Sequence, residues 1–86
     1  MPEISRFFGI VISMHFREHL PPHFHAEYGE DEATIDIRAL TVLDGVLSSR
    51  SLGMVIEWAS QHQSELLDLW ERAQRRQSLY KLPPLK

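Results

Sequence analysis

His23-Phe24-His25-Ala26-Glu27-Tyr28, the turn Gly29-Glu30-Asp31, and Glu32-Ala33-Thr34-Ile35-Asp36-Ile37 form the stretch whose reading decides the fold. Apolar and polar residues alternate in both arms, which is the period of a half-buried strand. Phe24, Ala26 and Tyr28 share one face of the first arm, and Ala33, Ile35 and Ile37 share one face of the second. A hairpin loop of two or four residues keeps both apolar faces on the same side, whereas an unbulged three-residue loop flips one of them. The register is then Phe24 opposite Ile35, Ala26 opposite Ala33, His25 opposite Thr34 and His23 opposite Asp36. Glu27 meets Glu32 in that register, and the like-charge pair places this end of the hairpin in water.

Working outward, Pro21-Pro22 cannot sit inside a central ladder and Leu20 before them is pushed toward extended geometry, so Arg17 to Pro22 is a connection. Upstream of it, Ser5 to Phe16 alternates as one strand. Phe8, Ile10, Ile12, Met14 and Phe16 face the core, and Phe7, Gly9, Val11, Ser13 and His15 lie on a mixed second face. Gly9 marks a bulge or a close backbone approach. Downstream, Thr41 to Leu47 around Asp44-Gly45 reads as one short irregular strand.

From Ser51 to Arg76 the period becomes helical. Leu52, Ile56, Ala59, Gln63, Leu66, Trp70 and Ala73 form a stripe that Trp58 stands outside. Ser49 or Ser51 supplies the cap. One helix of that extent runs roughly 37 Å, longer than so small a domain needs. Either it breaks near Ser60–Ser64 or its C-terminal half projects toward a partner. The expected fold is α+β: an antiparallel sheet of three to four strands packed on one long C-terminal helix. It spans residues 1–78 as a single domain, followed by an extended tail at 79–86 in which Pro83-Pro84 forbids helix.

The chain has 86 residues and no cysteine, so disulfides and zinc–thiolate sites are excluded. Its longest apolar run, Phe7 to Met14, falls far short of the roughly 20 residues a membrane span needs. Met1-Pro2-Glu3 lacks the basic start of a secretory signal, and the expected location is the cytoplasm. A net charge of −3 argues against general phosphate-driven nucleic-acid binding. The charge is uneven, however: acidic residues crowd Glu27 to Asp36, while Arg72, Arg75, Arg76, Lys81 and Lys86 gather at the other end. That polarity suits a protein partner or local nucleic-acid contact equally well.

Four histidines, His15, His19, His23 and His25, fall between Met14 and Ala26. By strand parity His15, His23 and His25 share the face away from the helix, near Asp36 and Glu27. Three readings follow: a solvated polar face paired with carboxylates, a divalent-metal site, or general acid–base chemistry. For the last, the candidate catalytic residues are His23 and His25, with Asp36 orienting His23. The spacing of His23, His25 and Glu30 resembles the metal motif of cupins, but the remainder of a cupin barrel is missing. No metal ligand and no cofactor is assigned. Trp58, Trp70, Arg72 and Tyr80 are the candidate interface residues, since interfaces favour aromatics and arginine.

The opening Pro2-Glu3-Ile4-Ser5-Arg6-Phe7-Phe8-Gly9-Ile10 and the later Pro21-Pro22-His23-Phe24-His25-Ala26 resemble a family of short bacterial proteins of unassigned function. Leu43-Asp44-Gly45, Trp58-Ala59 and Trp70-Glu71-Arg72-Ala73 extend the likeness over nearly the whole chain. His23 and His25 belong to the shared motif; His15 stands outside it. The resemblance implies one component of a two-protein, toxin–antitoxin-type module that binds another small protein encoded by the adjacent gene. It transfers no catalytic residue. The mixed second sheet face favours pairing with that protein or with a second copy as a homodimer. A small histidine-based nuclease or metal-dependent enzyme is the alternative.

Overall fold

The computed structural model describes residues 2–86 and holds five strands and two helices. The strands are β1 Glu3–Phe7, β2 Ile10–Ser13, β3 His23–Tyr28, β4 Asp31–Asp36 and β5 Val42–Gly45, followed by α1 Ser49–Ser60 and α2 Gln63–Gln74. They form one antiparallel meander in chain order, β1-β2-β3-β4-β5. The class is the expected α+β, but the sheet has five strands rather than three to four, and the long helix is two shorter ones.

The additional strand comes from the segment read as one run from Ser5 to Phe16. Phe8 and Gly9 both have positive φ, 49° and 81°, which makes a two-residue hairpin turn whose twist matches its flanking strands. Phe7 therefore opposes Ile10 and faces the core with it. Parity restarts at the turn, so Phe8 is 61% exposed instead of inward. Phe16 and Tyr28, also expected inside, lie beyond the last core layer and are exposed. Gly9 is a close approach, since a Cβ there would sit 3.0 Å from the Tyr28 ring.

The β3–β4 hairpin has the expected register at every pair, from His23 opposite Asp36 to Glu27 opposite Glu32. Tyr28 opposes Asp31, leaving Gly29-Glu30 as a two-residue loop with positive φ at glycine. β5 is the expected irregular strand, its register shifting against Thr34 and Ile35 of β4.

The helix breaks at Gln61-His62, inside the interval where excess length called for it. The Gln61 N–H turns back to the Ala59 and Trp58 carbonyls, and Gln63 ties the start of α2 to the residue just after β4 by donating from Nε2 to the Ile37 carbonyl at 2.9 Å. Ser48 is the cap of α1 in place of Ser49 or Ser51, accepting the Ser51 N–H. Once the helix is divided, each half has its own stripe. On α1 it is Ser51, Val55, Trp58 and Ala59; on α2 it is Leu66, Leu69, Trp70 and Ala73. Trp58 is therefore fully buried against Phe7 and Phe24, which corrects its placement outside the stripe.

The tail is not a free extension. Leu82 N–H donates to the Ile4 carbonyl at 2.7 Å, and Ser5 Oγ–H donates to the Leu82 carbonyl at 3.1 Å. Trp58 Nε1–H donates to the Pro83 carbonyl at 2.8 Å, and the Leu82 side chain enters the core. Further back, Tyr80 O–H donates to Asp68 at 2.8 Å, and the Arg72 guanidinium lies 5.3 Å over the Tyr80 ring. Among the described residues no helix is long and apolar enough to cross a membrane.

Candidate functional site

Strand parity gathers histidines at the start of β3. His25 lies opposite Ser13 of β2 on one side and Thr34 of β4 on the other, so the three share one row of the sheet. His15 follows Ser13 by two residues and stacks on His25, with ring centroids 3.8 Å apart and planes within 13°. His23 meets His25 edge-on at 5.3 Å and touches Trp70 of α2 at 5.0 Å. The three imidazoles expected on one face are thus together.

They do not stand on a solvated face. Nor do they lie away from the helix: His23 and His25 are only 9% and 8% exposed, because Trp70 of α2 packs on His23 and the connection from Met14 to Pro22 folds back over β3. Gln74 of α2 holds that connection down, its Nε2 donating to the Glu18 carbonyl at 2.9 Å. A chain that leaves β2 and re-enters the sheet at the adjacent strand has to cross this end, and it carries Glu18 with it.

Glu18 is the centre of the cluster. Its Oε1 lies 3.0 Å from His15 Nδ1, 3.1 Å from His25 Nε2 and 3.7 Å from His23 Nε2. On the far side, His25 Nδ1 has Thr34 Oγ1 at 3.4 Å and Glu32 Oε2 at 3.5 Å. His23 Nδ1 is 2.8 Å from the Pro21 carbonyl. A carbonyl only accepts, so Nδ1 carries a proton and Nε2 is the ring nitrogen turned toward Glu18.

Burial works against ionising Glu18, but the His25 hydrogen bond and the charges of His15, His23 and His25 outweigh it and hold the carboxyl below its usual range. Burial pushes His25 down as well, helped by the charge on His15; its bond to Glu18 opposes this and does not win. Both shifts run toward a carboxylate that ionises readily beside an imidazole that resists protonation. Such a pair suits proton abstraction or cation binding.

Asp36 opposes His23 in the backbone register, but its carboxylate turns away. Oδ1 accepts the N–H groups of Arg38 and Ala39 at 2.8 and 2.9 Å, closing the turn after β4. The carboxylate that meets His23 is Glu18. Sequence reasoning passes over Glu18 because it treats Arg17 to Pro22 as mere connection. The usable signal was the presence of a carboxylate inside the histidine-dense segment itself. Of the four candidate interface residues, Trp58 and Trp70 are core side chains, while Arg72 and Tyr80 keep some exposure and clasp the tail through Asp68.

A meander sheet backed by a broken helix, with a histidine–carboxylate cluster under its β2–β3 connection, is the class of protein this geometry defines. Residues 9–71 match the domain of unknown function DUF4160, and the chain belongs to that family. The match contains the whole cluster and ends before the tail. No curated protein and no solved structure matches the chain.

Proposed function

We propose that the protein is one half of a bacterial two-protein module of the toxin–antitoxin type, acting in the cytoplasm by binding a second small protein encoded beside it. The observation that carries this reading is the difference between the two edges of the sheet. The outer edge of β1 receives the chain's own tail through the Leu82–Ile4 bond. The outer edge of β5 receives nothing among the described residues and presents Val42, Leu43 and, just beyond, Val46, which is 71% exposed. An open edge with apolar side chains is a template for an added strand, with main-chain bonds giving affinity and side-chain pockets giving specificity.

Co-expression with the adjacent-gene product followed by co-purification tests the reading. Val42→Lys with Leu43→Lys is expected to abolish the complex while changing stability by no more than about 0.5 kcal/mol per site, since both side chains are exposed. Failure to form a complex, or a complex indifferent to the double substitution, sinks it. Self-pairing of the same edge would appear as a homodimer by sedimentation.

The convergence of His15, His23 and His25 on Glu18 favours the second reading, a small histidine-based nuclease or metal-dependent enzyme. On that reading His25→Ala and Glu18→Gln remove any growth inhibition or RNA cleavage, and Asp36→Asn leaves it unchanged. Activity that survives both cluster substitutions rules it out.

A further inference from the structure

Three buried side-chain atoms among the described residues have no hydrogen-bond partner: Ser13 Oγ, His15 Nε2 and Gln74 Oε1. All three belong to the surroundings of Glu18. Ser13 opposes His25, His15 is a member of the cluster, and Gln74 holds the Glu18 carbonyl. Orphaned buried polar atoms are costly, and their concentration at one place calls for a physical cause.

The nitrogens of the cluster present the same problem from another side. The Pro21 carbonyl takes the Nδ1 proton of His23, which leaves Nε2 facing the Glu18 carboxylate oxygen at 3.7 Å, too far for a hydrogen bond. His25 meets a carboxylate at each end, Glu18 at Nε2 and Glu32 at Nδ1. In the neutral ring Nε2–H donates to Glu18 and Nδ1 accepts from the Thr34 hydroxyl at 3.4 Å, so Glu32 stands by as a second acceptor. Three imidazoles converging on one carboxylate oxygen form the arrangement a cation seated between them would organise.

We propose that His15, Glu18 and His25 form a binding site for a divalent transition-metal ion of the zinc class, with His23 Nε2 as the fourth donor. Donor atoms of the first three already lie within 4.8 Å of one another. Bonds of about 2.0–2.1 Å in a tetrahedron set donor–donor distances near 3.3–3.4 Å. The observed 3.0, 3.1 and 3.7 Å around Glu18 Oε1 differ from that by a few tenths. Imidazoles with one carboxylate select zinc or nickel over magnesium or calcium, which prefer all-oxygen sites. The outer shell of such a site is present as well: Pro21 fixes the His23 tautomer, and Glu32 and Thr34 take Nδ1 of His25. Side-chain exposures of 28% for His15 and 30% for Glu18 leave a way in from solvent. The inference goes beyond partner binding and stands whether or not the β5 edge takes a partner.

Zinc ion titrated into the full-length, chelator-stripped chain tests it by calorimetry. The expected result is one ion per chain with low-micromolar or tighter affinity. Glu18→Gln and His25→Ala should each weaken binding at least about 10-fold, and His19→Ala and His62→Ala should leave it unchanged. Because His25→Ala empties a buried position, nitrogen NMR of the unmodified protein supplies a reading independent of folding. Zinc should shift the ring nitrogens of His15, His23 and His25 and leave those of His19 and His62 in place. Absence of saturable micromolar binding overturns the proposal. So does binding that survives Glu18→Gln, or that shifts His19 or His62 in place of the cluster.

Discussion

Leu82→Ala separates a tail that is part of the fold from a tail that trails behind it. Leu82 is 6% exposed, beyond the last helix, in a segment whose composition reads as a linker. Truncation removes three buried carbons, which at about 0.8 kcal/mol each amounts to roughly 2.4 kcal/mol of lost transfer free energy. A residual cavity adds to this, but a tail held at one end can settle into part of the space, which keeps the value at the low end of the usual Leu→Ala range of about 2–5 kcal/mol. We expect about 2–3 kcal/mol. A domain of this length has a total stability of roughly 4–13 kcal/mol, so a single side chain eight residues past the end of α2 carries a sizeable share. Urea denaturation followed by tryptophan fluorescence is the assay, and Tm should fall by roughly 10–20 °C. The companion variant is Trp58→Phe, which removes the donor to the Pro83 carbonyl and costs about 1 kcal/mol more than the change in ring size. Since both act on the same few tail residues, the double variant should deviate from additivity by at least about 0.5 kcal/mol. A Leu82→Ala loss under about 0.5 kcal/mol with an unchanged denaturant slope would refute the packing argument and return residues 79–86 to the status of a linker.

Gly45→Ala should cost at least about 2 kcal/mol and strip amide-exchange protection from Val46, because φ is +80° there and a Cβ would overlap the Glu32 carbonyl oxygen. Wild-type protection of that amide in the variant would contradict it. Phe8→Asn is expected to stabilise by about 0.5–1 kcal/mol: it places Asn-Gly in the positive-φ turn and removes an exposed phenylalanine, so a destabilised variant in thermal melts would tell against the turn. For the clasp on α2, burial and the hydrogen bond to Asp68 raise the Tyr80 hydroxyl above its usual value. Its contribution is therefore complete below about pH 10 and is lost as pH rises through the elevated folded value. Tyrosinate absorbance in the wild type but not in Tyr80→Phe should show this late step, and its absence would mean the clasp is open.

Alternation made the centre of the sheet legible, and its reach ended where the chain turned. The β3–β4 register followed from parity and loop length alone, because one face of that hairpin is sealed and a slip by one residue would expose Phe24 and Ile35 together. The same reasoning miscounted the strands, since Phe8-Gly9 has no proline or asparagine to announce a turn and its apolar residues continue the pattern across it. Helical phase failed for a related reason. A stripe drawn through Gln61-His62 assumes one rotation, whereas the break gives Trp58 a stripe of its own.

The candidate site divides along the same line. Periodicity describes what a residue does within its own strand, and it put His23 and His25 on one side correctly. It says nothing about which loop crosses that side. Glu18 reaches His25 from seven residues away because residues 14–22 have to span the end of the sheet and Gln74 holds them there, a contact 56 residues distant in sequence. Asp36, the nearest acid by register, was the natural partner for His23, but a carboxylate at the end of a strand has two unpaired N–H groups of the following turn within reach, and those bonds win. A ligand or catalytic carboxylate delivered by a loop thus competes with a nearer one already engaged by the backbone. Burial of His23 and His25 follows from the loop and from Trp70 of α2, and with burial comes the requirement that polar atoms around the cluster be matched, which Ser13 Oγ, His15 Nε2 and Gln74 Oε1 do not meet.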